Sequence, residues 1–186
     1  ALRLSGGEIG IYAANDADSD DLAVVNSSVF ANDYAGLFFG STNDRAVLAN
    51  NIWYGVPGGV STDDQDYGIV LNDTSADHVV SGNEIYDHYY TGLTLRGARA
   101  VAGGNDVHGN RTGLSVRYNG SLVDRQTVSG NRVHDNTETG IDATYAVLLL
   151  GNDVYGQNGT NDTGIAASAG VEISANTVHG NYNGIA

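Results

Sequence analysis

A glycine followed by isoleucine or leucine returns eight times along this chain, at Gly10-Ile11, Gly36-Leu37, Gly68-Ile69, Gly92-Leu93, Gly113-Leu114, Gly140-Ile141, Gly164-Ile165 and Gly184-Ile185. Recurrence at such spacing is the mark of a stacked repeat, in which each unit buries its apolar face only against its neighbours. Eight anchors predict about eight coils. Two further phrases sit in each unit. One is Asn-x-(Ile/Val) followed by a ring, as in Asn50-Asn51-Ile52-Trp53, Asn83-Glu84-Ile85-Tyr86, Asn105-Asp106-Val107-His108 and Asn131-Arg132-Val133-His134. The other is a short apolar run just before the Asn, such as Ala46-Val47-Leu48, Val79-Val80 and Ala146-Val147-Leu148.

Three apolar runs of a few residues, broken by Gly, Asn or Asp, are too short for helices and read as strands. The chain is therefore expected to be all-β, a single parallel β-helix over 1–186 with three short strands per coil. Alternation within Gly-Leu-x-Leu turns Leu93 and Leu95 inward and Thr94 and Arg96 outward. Coils stacked about 4.8 Å apart give a rod of roughly 40 Å. The asparagines at 50, 83, 105, 131, 152 and 176 are expected to form a side-chain ladder along one corner.

Composition agrees with frequent sharp turns in a regular chain: 26 glycines, one proline, no cysteine, and 41% hydrophobic residues. The 22 acidic residues against 8 basic ones, all arginine, give a net charge of −14. That balance argues against nucleic acid and anionic membrane surfaces as partners, since both are held by summed positive charge. No apolar run is long enough for membrane insertion as a helix.

The stretch Gly104-Asn105-Asp106-Val107-His108-Gly109-Asn110-Arg111-Thr112-Gly113-Leu114, repeated in kind over almost the whole chain, resembles the right-handed parallel β-helix of the pectate-lyase-like superfamily. The resemblance implies an extracellular or cell-surface protein whose partner is a polysaccharide or cell-surface glycan. It reaches two kinds of protein: rods and adhesins that are structural or glycan-binding, and lyases or mannuronan C-5 epimerases. The chain departs from the enzymes in two respects. The epimerases carry Asp-Pro-His-Glu, whereas Pro57 here stands between Val56 and Gly58, and lysine, used by many lyases of the superfamily, is absent. A non-catalytic rod is the leading expectation, and a uronate lyase or epimerase the alternative.

Candidate residues fall into three groups. Arg96 and Arg117 are expected on adjacent coils near Asp142, with His88, Tyr89 and Tyr90 on the rim beside the long insertion between Trp53 and Gly68. Two arginines suit a uronate carboxylate, and Tyr or His suits exchange of the proton α to it; the plainer explanation is that stacked arginines offset nearby aspartates. Next, a stripe of outward rings is expected at Phe30, Trp53, Tyr86, His108, His134, Tyr155 and His179, either packing on one another or offering a platform to sugars. Last, Asp16, Asp18 and Asp20 alternate as calcium ligands would, although the remainder of an EF-hand loop is missing and a solvated acidic turn accounts for them as well. The chain opens with Ala1-Leu2-Arg3-Leu4 as a strand and ends on another anchor, so it is expected to be a segment of a longer rod or a unit capable of end-to-end self-association.

Overall fold

The computed structural model describes residues 1–15, 17–57, 65–72 and 75–186. Among these the strands form three parallel sheets, and the chain visits them in a fixed cycle. Sheet 1 holds eight strands from Arg3–Leu4 to Thr177–His179, sheet 2 eight from Ile9–Ala13 to Asn183–Ile185, and sheet 3 seven from Ala23–Val25 to Val171–Ser174. Seven full coils are followed by a partial one, as the eight anchors require. No helix of the described residues is long and apolar enough to cross a membrane.

The anchor glycines line up on sheet 2 because there is no room for anything larger. At Gly36, Gly68, Gly92, Gly113 and Gly140 a Cβ would come within 3.0 Å of the carbonyl oxygen of the next coil's glycine. The residue after each glycine points inward, so Leu37, Ile69, Leu93, Leu114, Ile141 and Ile165 stack through the middle and are fully buried. Sheet 1 contributes Val29, Ile85, Val107, Val133 and Val154, and sheet 3 contributes Leu48, Val80, Ala102, Val128 and Leu149, to one continuous core.

The asparagine ladder is present, displaced by one residue at its first asparagine. Asn51, not Asn50, aligns with Asn83: its backbone N–H and its amide both donate to Asn83 Oδ1, at 3.0 Å each. The series continues through Asn105, Asn131, Asn152 and Asn176, each amide also donating to a carbonyl of the preceding coil at 2.8–3.0 Å. Buried amides are thereby satisfied at every step. Asn50 takes the turn position with φ 54°, which asparagine tolerates.

That single step reverses the faces of the strand. Trp53 pairs with Ile85 and is fully buried, whereas Tyr54 pairs with Tyr86 and takes the outward ring position. Trp53 was expected on the outer stripe, and its burial corrects that expectation. The indole fits because Gly36 faces it, where a Cβ would lie 3.1 Å from Trp53 Cε3, and its N–H donates to Asn83 Oδ1 at 3.3 Å.

A second polar ladder, absent from the sequence reading, fills the corner between sheets 1 and 2. It is built from Asn32, Gln65, His88, Asn110 and Asn136, with Asn32 donating to Gln65 at 3.0 Å and Asn110 to Asn136 at 3.1 Å. His88 lies inside this ladder and not on the rim. Its Nδ1 is 3.3 Å from the Gln65 amide nitrogen and its Nε2 3.3 Å from the Trp53 carbonyl, which sets a neutral Nε2–H tautomer. Burial lowers its pKa to about 3.

Candidate functional site

The outer face of sheet 2 gathers most of the expected polar candidates. Arg96 and Arg117 are direct partners on adjacent strands, and Ser115 is paired with Asp142 on the next coil. The Arg117 guanidinium donates to Asp142 at 2.9 Å, so its charge is already matched by that carboxylate. Thr94, although outward, is nearly covered and forms a floor beside Arg96.

Along one edge of the same face runs a row of rings that the sequence reading missed in part. Tyr34 and Tyr67 are 5.4 Å apart between centroids and Tyr67 and Tyr90 5.7 Å, while Phe38 lies 5.9 Å from Tyr12 and 6.2 Å from Tyr34. Their planes are inclined by 31° to 62°, so these rings do not lie flat against one another as a parallel stack would. Two cavities follow this row. One of about 690 Å³ is bounded by Glu8, Tyr12, Tyr34 and Phe38; the other, of about 240 Å³, by Tyr34, Tyr67, Asn72, Thr94 and Arg96. Tyr34 and Phe38 belong to both, which makes the cavities one groove. Burial pushes the Tyr67 phenol up, an effect reinforced by Tyr34 and opposed by Arg96, so the phenol is kept as a hydrogen-bond donor at neutral pH. A sequence signal for this row existed: tyrosine stands one or two residues before the anchor glycine in Tyr34-Ala35-Gly36, Tyr67-Gly68 and Tyr90-Thr91-Gly92.

The stripe on sheet 1 is a different object. Phe30, Tyr54, Tyr86, His108, His134, Tyr155 and His179 form one unbroken column, with centroids 4.7 to 5.3 Å apart and planes within 16° of parallel. Each ring covers the face of the next, so the column shows solvent mainly edges. Carboxylates hold the imidazoles from the side: His134 bonds Asp106 at 3.0 Å and Asp135 at 2.8 Å, and His179 bonds Asp153 at 3.2 Å.

Of the three aspartates expected to hold calcium, Asp16 lies outside the described residues. Asp20 accepts from the Asp44 N–H at 2.8 Å and pairs with Arg45 at 2.9 Å, while Asp18 occupies a left-handed turn with φ 47°. Among the described residues no group of three or more His, Cys, Asp or Glu is arranged to hold a metal ion.

The family model described as "Right handed beta helix region" matches residues 3–145 and, in a second overlapping match, 62–186. No curated protein sequence matches the chain significantly. Among solved structures, the chain is similar to the periplasmic alginate epimerase AlgG, with a TM-score of 0.67 and 15% identity over 94% of this chain and 42% of that one. A double mutant of the same epimerase gives a TM-score of 0.64 and 17% identity over 90% of this chain and 37% of that one. The chain thus spans less than half the length of either structure, and likeness at this identity concerns the fold.

Proposed function

Because this chain belongs to the family of right-handed β-helix regions, a fold that hosts many activities on one scaffold, we propose its function from the site alone: the outer face of sheet 2 binds a polysaccharide strand containing uronate residues. The observation that carries the reading is the groove in which the mutually inclined rings of Tyr34, Tyr67 and Phe38 stand beside Arg96. Sugar rings present C–H faces that pack on aromatic rings, and a guanidinium matches a carboxylate in a two-point hydrogen bond. Arg96 is the carboxylate partner, Thr94 and Asn72 supply hydroxyl and amide hydrogen bonds, and the tyrosines order the strand along the rod. In this reading the protein works outside the cytoplasm, at a cell surface or in the periplasm.

Binding is favoured over lyase or epimerase chemistry by the placement of His88. The one imidazole among the residues expected to move a proton is enclosed in the corner ladder and held neutral, away from the groove. Calorimetric titration of the intact chain with oligomannuronate and oligogalacturonate, with a neutral β-glucan as reference, tests the proposal. Saturable heat with either uronate, reduced about tenfold or more by Arg96→Gln, is expected. Equal affinity of wild type and variant sinks the carboxylate contact. New epimer or unsaturated-sugar signals by proton NMR after long incubation would replace binding with catalysis.

A further inference from the structure

We propose that a cavity of about 370 Å³ at the corner between sheets 1 and 2, walled by Asp87, Tyr89, Arg111, Thr137 and Glu138, holds a neutral sugar residue through its hydroxyl groups. The inference rests on the reading that the chain binds polysaccharide, and it names a second subsite with the opposite charge preference.

The cavity is built around Asp87. This residue occupies the turn after Glu84–Tyr86 with φ 58°, a conformation that aspartate accepts more readily than most side chains. Glycine holds the equivalent place on both neighbouring coils. A Cβ at Gly55 would collide with the Asp87 carbonyl oxygen, and one at Gly109 with its carboxylate. Gly109 therefore leaves the space into which the carboxylate extends, and Gly55 lets the backbone of the next coil approach.

Among the described residues no protein group donates a hydrogen bond to that carboxylate. The Asp87 main chain is tied to the fold by its N–H, which donates to the His108 carbonyl at 3.3 Å. Partial burial pushes the Asp87 pKa up, against the opposing pull of His108. A half-buried carboxylate that accepts no hydrogen bond from the protein presents its acceptor sites to hydroxyl donors of a ligand.

The opposite wall decides which ligand. Arg111 is committed to Glu138 at 2.6 Å, and its guanidinium lies 5.9 Å from the centre of the Tyr90 ring. With that pair neutral, Asp87 leaves the cavity with an excess of negative charge. A uronate or phosphate is repelled, while hydroxyl donors are accepted by Asp87 and Glu138. Tyr89, edge-on to Tyr90 at 4.6 Å, supplies an aromatic wall, and the Thr137 hydroxyl serves as donor or acceptor. Tyr90 in turn contacts Tyr67 of the groove, so the cavity and the Arg96 subsite are joined through one ridge of rings. A polymer containing both neutral and uronate residues satisfies the two together.

The test uses the intact, isotope-labelled chain and two separate probe sets: neutral gluco-, manno- and galacto-configured oligosaccharides, and oligouronates. A neutral oligosaccharide is expected to shift the amides of Asp87, Tyr89 and Thr137 saturably. Asp87→Asn, which keeps the turn and the side-chain shape, is expected to weaken this binding about tenfold. Absence of shifts at those amides with every neutral probe, or an Asp87→Asn variant that binds as wild type, overturns the subsite. Oligouronate binding is scored separately at the groove, so loss of that signal with the cavity response intact removes the Arg96 reading alone.

Discussion

The imidazoles of His108 and His134 lie parallel to within 16°, with centroids 4.9 Å apart, on strands that are hydrogen-bonded neighbours in sheet 1. They are the middle of a column in which each inner ring has two stacked partners. Parallel strands place identical positions one strand spacing apart, close to the optimal distance for aromatic contact. Repetition of a ring at that position is thus a stabilising device of the rod.

Truncating an inner member should cost two stacking contacts at once. His108→Ala is expected to lower unfolding free energy by about 1–3 kcal/mol, at roughly 0.5–1.5 kcal/mol per pair. His108→Phe, which keeps the column, should recover most of the loss. Urea denaturation of both variants checks this, and a His108/His134 double-mutant cycle should return a coupling energy that vanishes for two rings at opposite ends of the column.

Acid should weaken the fold through two histidines that are buried and neutral. Burial lowers His88 to about 3 and His78 to about 4, both from 6.5. A base whose folded pKa is depressed binds its proton more readily when unfolded, so stability is complete above about 6.5 and declines as pH falls toward 4. The slope is up to ~1.4 kcal/mol per pH unit for each histidine. Denaturant unfolding between pH 7 and pH 4 measures it. His88→Asn, the residue at the same ladder position in Asn110 and Asn136, should remove about half of the acid slope while leaving the ladder intact. An unchanged slope in that variant would show that His88 is not held neutral.

The corrected register of the third sheet 1 strand is also measurable. Trp53 is fully buried and Ile52 is 38% exposed. Trp53→Ala should therefore cost about 3–5 kcal/mol, as large core truncations do, whereas Ile52→Thr should stay within about 0.5 kcal/mol. If the strand were shifted by one residue the two costs would be exchanged.

The fold was legible because every coil repeats the same glycine, and a constraint imposed by backbone contact cannot be met by other residues. Arg96, Arg117 and Asp142 were legible for the same reason: alternation from the anchor glycine counts outward positions without ambiguity. Trp53 was misplaced because Asn50 and Asn51 offer the ladder two starting points, and only the partner strand decides between them. His88 was misplaced because a polar residue in a turn after a ring reads as exposed. Its burial depends on Gln65, 23 positions earlier, and on Asn110. The tyrosines of the groove were visible as residues but not as a site, since the tilt of Tyr34 against Tyr67 is set by packing between coils.

The last expectation separates the two aromatic rows by their geometry. Rings within 16° of parallel spend their faces on each other, as on sheet 1, whereas rings inclined by 31° to 62°, as on sheet 2, do not cover one another face to face. Sugar packing needs a face, so affinity for an oligosaccharide should depend on Tyr34 and Tyr67 and not on Tyr86 or Tyr155. Stacking on an open ring is typically worth ~0.5–1.5 kcal/mol, so Tyr67→Ala should weaken binding by about two- to tenfold, and Tyr34→Ala similarly. Tyr155→Ala should reduce stability through its two stacked histidine neighbours while leaving affinity unchanged at a temperature where the variant is folded. Titrations of the four variants with one oligosaccharide decide it: loss of affinity in Tyr86→Ala or Tyr155→Ala, with Tyr34→Ala and Tyr67→Ala binding normally, would transfer the glycan to sheet 1 and end the groove reading.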